Sequence, residues 1–296
     1  MVKCLLDMRN AMDFDLCNPK TVETLLKKYG FSFSKALGQN FLINNEVCPA
    51  MAESLEADEK TAVIEIGPGF GVLTKELCKT AGRVIAIELD KRLYPVLEET
   101  LGGFDNFELV EGDALKLDLN ALISEKLGDF EEVKVCANLP YYITSPLIMK
   151  LLEEGLPISE IVVMVQKEAA ERLCAEMGTR NAGAVTAAVK FYGEPEVLFD
   201  VDRESFMPSP KVDSAVIKIT LNSEKKYAVD NESRFFSLVR AAFSQRRKTL
   251  VNSVSSTLDI PKADITNALT KLSLNPNIRA EELTMEDFVG LYGLLF

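Results

Sequence analysis

The chain has 296 residues, of which 47% are hydrophobic and 26% charged, with a net charge of −12. This is enough chain to bury a core without disulfides or metals, in one large domain or a large domain with a small one. The absence of histidine excludes Ser-His-Asp hydrolases, HExxH metalloproteases and any imidazole base, and six cysteines without a CxxC pair argue against a metal site or disulfide framework.

Asp7, Arg9, Asp13 and Asp15 interrupt every early apolar run, so no signal peptide is expected. Met12 stands just before the first structural signal, which makes the first eleven residues a disordered lead-in. No stretch is long and apolar enough to cross a membrane. Together with the cysteine usage this predicts a cytoplasmic protein with no membrane partner, a monomer by default. The acidic balance, taken alone, counts against a nucleic-acid partner, because phosphate binding rests on Lys and Arg.

Asn18-Pro19 reads as an N-cap and first-turn proline, opening a helix to about Tyr29. A second helix is expected over Asn45–Leu55. Strand and helix then alternate. Strands are predicted at Ala62–Ile66, Arg83–Glu88, Phe107–Val110, Val133–Ala137 and Glu160–Val165, and helices at Thr74–Lys79, Lys91–Leu101, Ser145–Glu153 and Glu168–Met177. Such alternation implies a parallel sheet with helices on both faces. Glu196–Val201 and Ser214–Leu221 read as two more strands, joined through the proline-rich Phe206-Met207-Pro208-Ser209-Pro210. Asn222–Asn231 resembles a linker. Beyond it Phe235, Leu238, Val239, Ala242 and Phe243 keep the spacing of one buried helical face, and a small helical domain is expected from about 230 to 296.

Three loops after successive strands carry candidate ligand groups. Val63-Ile64-Glu65-Ile66-Gly67-Pro68-Gly69-Phe70-Gly71 puts a glycine turn behind the first strand. There Gly67 and Gly69 let the backbone approach a ligand, and the next helix presents free N–H groups. A dinucleotide fingerprint wants its third glycine where Val72 stands, whereas G-x-G-x-G suits S-adenosylmethionine, which has no pyrophosphate to cradle. A purely structural loop is an equal reading of the turn alone. Glu88 closes the next strand about 20 residues on, where a carboxylate grips a ribose diol. Asp113 follows the third strand and is placed to accept from an adenine amine, although alone it reads equally as a turn aspartate.

Asn138-Leu139-Pro140-Tyr141 follows the fourth strand. The exocyclic amine of adenine is a poor nucleophile because its lone pair is delocalised into the ring. Two acceptors on its N–H bonds, the Asn138 side-chain oxygen and the Leu139 carbonyl, would favour a tetrahedral nitrogen. Pro140 holds Leu139 extended. Tyr141 offers a stacking face for the base. No strong base is needed, so the lack of histidine is no obstacle, and the main task is alignment.

Seven segments together resemble the small-subunit (16S) ribosomal RNA adenine dimethyltransferase family over nearly the whole chain: Leu37–Leu42 (LGQNFL), Glu65–Gly71 (EIGPGFG), Ile87–Asp90 (IELD), Gly112–Leu115 (GDAL), Asn138–Tyr142 (NLPYY), Phe206–Ser214 (FMPSPKVDS) and Phe243–Leu250 (FSQRRKTL). The resemblance implies an α/β, Rossmann-like class I methyltransferase with a mostly parallel seven-stranded sheet and a small all-helical C-terminal domain. Residues 1–222 would form the S-adenosylmethionine-binding catalytic domain and 230–296 an RNA-contacting one. Asn40 and Leu42 would join Gly67, Glu88, Asp113 and Asn138 at the cofactor, and Phe206 would pack on the target base opposite Tyr141. The substrate would be two adjacent adenosines near the 3′ end of 16S rRNA, within a small ribosomal subunit or its precursor, each receiving two methyl groups.

Arg246-Arg247-Lys248, near Arg240, forms a basic cluster for RNA, and Lys20, Lys27, Lys28 and Lys35 form another. Screening acts over about 8 Å at physiological salt, so local charge outweighs net charge at a contact. Three rivals stand beside this reading: a 23S rRNA adenine methyltransferase conferring antibiotic resistance, an NAD-dependent oxidoreductase, and a non-enzymatic ribosome-assembly factor. The Phe243–Leu250 segment and the NLPYY form disfavour the first, Val72 the second and the intact catalytic segment the third.

Overall fold

A computed structural model describes residues 15–30 and 39–296. The expected lead-in, Lys35 and the Leu37-Gly38 pair lie outside the described residues. The elements in chain order are α1 (Pro19–Lys28), β1 (Phe41–Leu42), α2 (Val47–Ser54), β2 (Thr61–Ile66), α3 (Val72–Leu77), β3 (Arg83–Glu88), α4 (Tyr94–Leu101), β4 (Phe107–Glu111), α5 (Leu119–Lys126), β5 (Glu132–Asn138), α6 (Thr144–Glu153), β6 (Glu160–Gln166) and α7 (Lys167–Leu173). There follow α8 (Ala184–Tyr192), β7 (Gly193–Val201), β8 (Phe206–Met207), β9 (Ser214–Leu221), α9 (Glu232–Phe243), α10 (Leu250–Leu258), α11 (Lys262–Lys271) and α12 (Met285–Leu295). The seven expected strands all form, within a residue or so at most ends. Helices α5 and α8 and the two short strands β1 and β8 are additional.

The strands make a seven-stranded sheet in the order β4-β3-β2-β5-β6-β9-β7. Neighbours from β4 through β6 run parallel, and β9 runs antiparallel to β6. Strand β2 is buried at every position, as a central parallel strand covered on both faces must be, and that is why it reads as an apolar run broken only by Glu65. The chain leaves β2 toward β3 and β4 on one side and returns to β5 and β6 on the other. The carboxyl ends of β2 and β5 therefore open onto a topological switch point, where ligands bind in sheets of this kind. No helix among the described residues is long and apolar enough to cross a membrane.

Two apolar clusters hold helices to this framework. One joins Met51 and Leu55 with Leu73 and Leu77 to Val63, Val84 and Val162 of the sheet. The other joins Val22 and Leu25 of α1 to Phe70, Val96, Leu97 and Leu101. Each such fully buried side chain contributes roughly 1.5–3 kcal/mol. Helix α2 ends on two lysines, Lys134 buried and Lys218 half-buried. Lys134 Nζ donates to the Leu55 carbonyl at 2.8 Å and Lys218 Nζ to Ser54 at 3.2 Å. Glu160 bridges the two ammonium groups at 3.3 and 2.9 Å. Cations thus sit where the helix exposes its unpaired carbonyls and its negative dipole end.

The described residues divide into two compact units: those up to Ala170 with Glu196–Leu221, and Glu171–Pro195 with Asn222–Phe296. Residues 171–195, expected in the first domain, belong with the C-terminal helices because α8 is apolar and aromatic. Phe191 meets Phe235 and Phe236 of α9 at ring separations of 5.2 and 5.1 Å. The stretch expected to be a linker also packs here, with Tyr227 stacked on Phe191. Of the face predicted on α9, Phe235, Leu238, Val239 and Ala242 are buried. Phe243 is only partly so, tilted against Phe288 of α12.

Candidate active site

In the first unit, one cavity is lined by Asn40, Leu42, Gly67, Gly69, Glu88, Asp113, Asn138, Leu139, Pro140, Tyr141 and Phe206. The sheet explains the gathering. Gly67, Glu88, Asp113 and Asn138 stand at or just beyond the carboxyl ends of β2, β3, β4 and β5, four adjacent strands. Backbone bonds lock these ends together: Gly67 N–H donates to the Ile87 carbonyl and Gly112 N–H to Glu88, both at 2.9 Å. Asn40, Leu42 and Phe206 arrive by a different route. Strands β1 and β8 pair antiparallel, with Leu42 opposite Phe206 and Phe41 opposite Met207. Two segments far apart in sequence thereby form one wall.

The glycine turn is built for close approach. Gly69 has φ +60°, and a Cβ there would lie 2.9 Å from the Phe41 ring. Gly71 has φ +87° at the N-cap of α3, and a Cβ would strike Leu101 at 2.8 Å. Positive φ and lack of room both demand glycine at these positions.

Glu88 is buried, and burial pushes its carboxyl up to about 7, opposed by hydrogen bonds from the backbone of Asp90 and Gly69. Its Oε1 accepts from Asp90 N–H at 2.7 Å. Asp90 is itself held by the Arg92 guanidinium, by Arg92 N–H at 3.1 Å and by Gln39 at 2.8 Å, and these donors, the guanidinium foremost, keep its carboxyl below the usual carboxylate range. Glu65 also lines the cavity, and Oε2 is buried without a hydrogen-bond partner. Burial, with a further push from the Glu88 charge, raises it to about 8. Asp113 serves the chain and the cavity together: Oδ1 accepts from Leu115 N–H at 3.0 Å, while Oδ2 lies 3.4 Å from Lys116.

At the end of β5, the Pro140 carbonyl is taken by Ile143 N–H at 3.1 Å and Leu139 N–H donates to Met164 at 3.1 Å. Neither the Asn138 amide nor the Leu139 carbonyl is engaged in a hydrogen bond among the described residues. Two acceptors are therefore uncommitted on one stretch of backbone. Tyr141 is half-buried, and its hydroxyl shares a hydrogen bond of 2.8 Å with Ser214 Oγ at the start of β9.

Arg246, Arg247 and Lys248 lie in the second unit, in the turn between α9 and α10. Arg246 donates to the carbonyls of Arg180 at 3.0 Å and Ala182 at 3.4 Å. Its guanidinium ties a loop down, whereas Arg247 and Lys248 are exposed without a partner among the described residues. Sequence reasoning missed Glu65, Leu89 and Tyr142, which also line the cavity, and the Tyr141–Ser214 bond. For Glu65 the signal was present, an acid set inside an otherwise apolar strand.

The ribosomal RNA adenine dimethylase family model matches residues 30–295. A relative named ribosomal RNA small subunit methyltransferase A from Geobacillus sp. (strain WCH70) is 44% identical over 287 residues, covering 96% of this chain and 99% of its own. Among solved structures, the dimethyladenosine transferase from Plasmodium falciparum superposes with a TM-score of 0.67 at 29% identity, covering 85% of this chain and 95% of that one. The 23S rRNA methyltransferase ErmE does so with 0.65 at 27%, covering 86% and 99%. The fold, the cavity and a match along nearly the full chain agree: this protein belongs to the ribosomal RNA adenine dimethylase family.

Proposed function

We propose that this protein transfers methyl groups from S-adenosylmethionine to the exocyclic amines of two adjacent adenosines near the 3′ end of 16S rRNA, in a small ribosomal subunit or its precursor. The observation that carries the reading is the pair of uncommitted acceptors, the Asn138 amide and the Leu139 carbonyl, in the cavity that also holds Glu88 and Asp113. S-adenosylmethionine, when bound, supplies an electrophilic methyl group on a sulfonium.

The residues present fit that group. The turn at Gly67 and Gly69, both at positive φ, turns backbone rather than side chains toward the cavity. Glu88 would hold the two ribose hydroxyls as an anion, and Asp113 would accept from the adenine amine of the cofactor through Oδ2. Asn40 and Leu42 would close the same side. The unsatisfied Oε2 of Glu65 leaves a buried polar atom for a hydrogen-bonding group brought in by the ligand.

On the substrate side, Asn138 and Leu139 would each accept one N–H of the target amine. That arrangement draws the nitrogen toward tetrahedral geometry and turns its lone pair out of the ring. Pro140, at φ −58°, fixes the backbone that carries the second acceptor. Tyr141, steadied by Ser214, would stack on the base from one side and Phe206 from the other. The chain contributes alignment, with no proton abstracted before attack. Arg247 and Lys248 would hold the RNA through phosphates, with Arg246 organising the loop beside them. Such an enzyme acts where ribosomes are assembled, in the cytoplasm, and as a monomer.

The experiment is to incubate the protein with unmethylated small subunits and labelled S-adenosylmethionine and to map the label. Label on the paired adenosines near the 3′ end of 16S rRNA is expected. Label only on RNA from the large subunit would overturn the substrate assignment in favour of the 23S reaction for which ErmE is named.

A further inference from the structure

Among the described residues Tyr142 is the most exposed large apolar side chain, at 55%. It lines the same cavity as the acceptor pair. It makes no hydrogen bond, ion pair or ring contact within the described residues. Its backbone, by contrast, is fixed. It lies in the 3₁₀ turn Tyr141–Ile143, closed by the Ile143-to-Pro140 bond and running directly into α6. The ring before it is tethered by its hydroxyl to Ser214. One rigid turn therefore presents two aromatic rings in succession, the first half-buried and bonded, the second open to solvent. A single exposed tyrosine is ordinary on a protein surface. This one is held at the cavity by the backbone that also carries the two acceptors.

We propose that Tyr142 is a second base-stacking platform, taking the nucleobase next in the RNA chain to the adenine held at Asn138 and Leu139. The proposal rests on the reading of the cavity as an adenine methylation site. An adenine turned out of its stack to reach the cavity leaves its neighbour without a stacking partner. The neighbour stays covalently tied close to the mouth. A rigid aromatic face there restores the lost stack, and it tolerates any base because every base has a π-face. With two adjacent adenosines as substrate, Tyr142 holds one while the other occupies the cavity. It is a positioning residue: it sets where the RNA chain sits and leaves the amine to Asn138 and Leu139.

The test compares the wild type with Tyr142→Ala and Tyr142→Phe. Methyl transfer is measured on unmethylated small subunits, cofactor affinity by calorimetry with S-adenosylmethionine alone, and stacking with an RNA hairpin carrying 2-aminopurine beside the target adenosine. For Tyr142→Ala, KM for the subunit is expected to rise about fivefold or more, with kcat moving less and cofactor affinity unmoved. Tyr142→Phe is expected to restore KM, and the wild type and Phe variant to quench 2-aminopurine where the Ala variant does not. Wild-type KM and quenching in Tyr142→Ala would overturn the proposal. So would a loss of cofactor affinity in place of the KM change, which would assign the ring to the cofactor. Absence of transfer by the wild type would defeat the underlying reading of the cavity, a result separable from either.

Discussion

Cofactor affinity is expected to depend on pH through Glu88. In the free protein, burial raises this carboxyl to about 7. Two ribose hydroxyls donate hydrogen bonds, so the bound form of Glu88 is the anion, and below neutrality a proton competes with the cofactor. By linkage the apparent Kd scales as one plus the ratio of protonated to ionised Glu88, which is about tenfold at pH 6 and near unity at pH 8. Glu65 lies higher, at about 8, so between these values the pair carries a single negative charge, on Glu88. Affinity for S-adenosylmethionine should therefore strengthen roughly tenfold from pH 6 to pH 8, read by calorimetry in buffers of different ionisation enthalpy, with a proton released on binding near neutral pH. Glu88→Gln should bind more weakly and lose this dependence. A flat profile in the wild type, or an unchanged one in Glu88→Gln, would refute the assignment. The same shifts act on stability with the opposite sense. Both carboxyls are raised above their unfolded values, so the stability they contribute is complete below about pH 4.5 and is lost as pH rises through 7 and 8.

Two predictions concern other parts of the chain. Glu160→Gln leaves the half-buried Lys218 ammonium without its carboxylate and the buried Lys134 with Glu132 alone, and denaturant unfolding should show a loss of roughly 1–3 kcal/mol; a change below about 0.5 kcal/mol would mean that Glu132 and the helix carbonyls satisfy the lysines. Arg247→Ala and Lys248→Ala should each reduce the slope of log affinity for RNA against log salt by about 0.7–0.9, whereas Arg246→Ala should also loosen the 178–183 loop, seen as faster amide exchange there. Equal effects of all three on binding, with the loop unmoved, would contradict the division of roles.

Much of this arrangement could be read from the residues, for identifiable reasons. Strands β2, β3, β5 and β6 are buried on both faces, so each is written as an apolar run ended by a polar or glycine loop. The ends of four such strands supply Gly67, Glu88, Asp113 and Asn138, and parallel order alone then brings these groups together. Helix α8 was missed because Ala184–Tyr192 carries few polar residues to mark its outer face and opens on Gly183 without a side-chain cap. Helix α5 did carry a signal in Asp118, which accepts from Ala121 N–H at 2.9 Å. The pairing of β1 with β8 lies beyond periodicity, since two-residue strands have none. Their contact arises only once the sheet has placed both segments. The role of Arg246 was likewise hidden, because a guanidinium spent on backbone carbonyls looks in sequence like one free for phosphate.

The central claim is that an amide oxygen and a neighbouring carbonyl prepare the adenine nitrogen for attack, and the rate of a single turnover by Asn138→Ala measures it most directly. With saturating cofactor and unmethylated small subunits, transfer should slow by about a hundredfold or more, in keeping with the loss of one preorganised hydrogen-bonding group at a reacting centre, while affinity for the cofactor changes only a few-fold. Transfer at close to the wild-type rate would contradict the account.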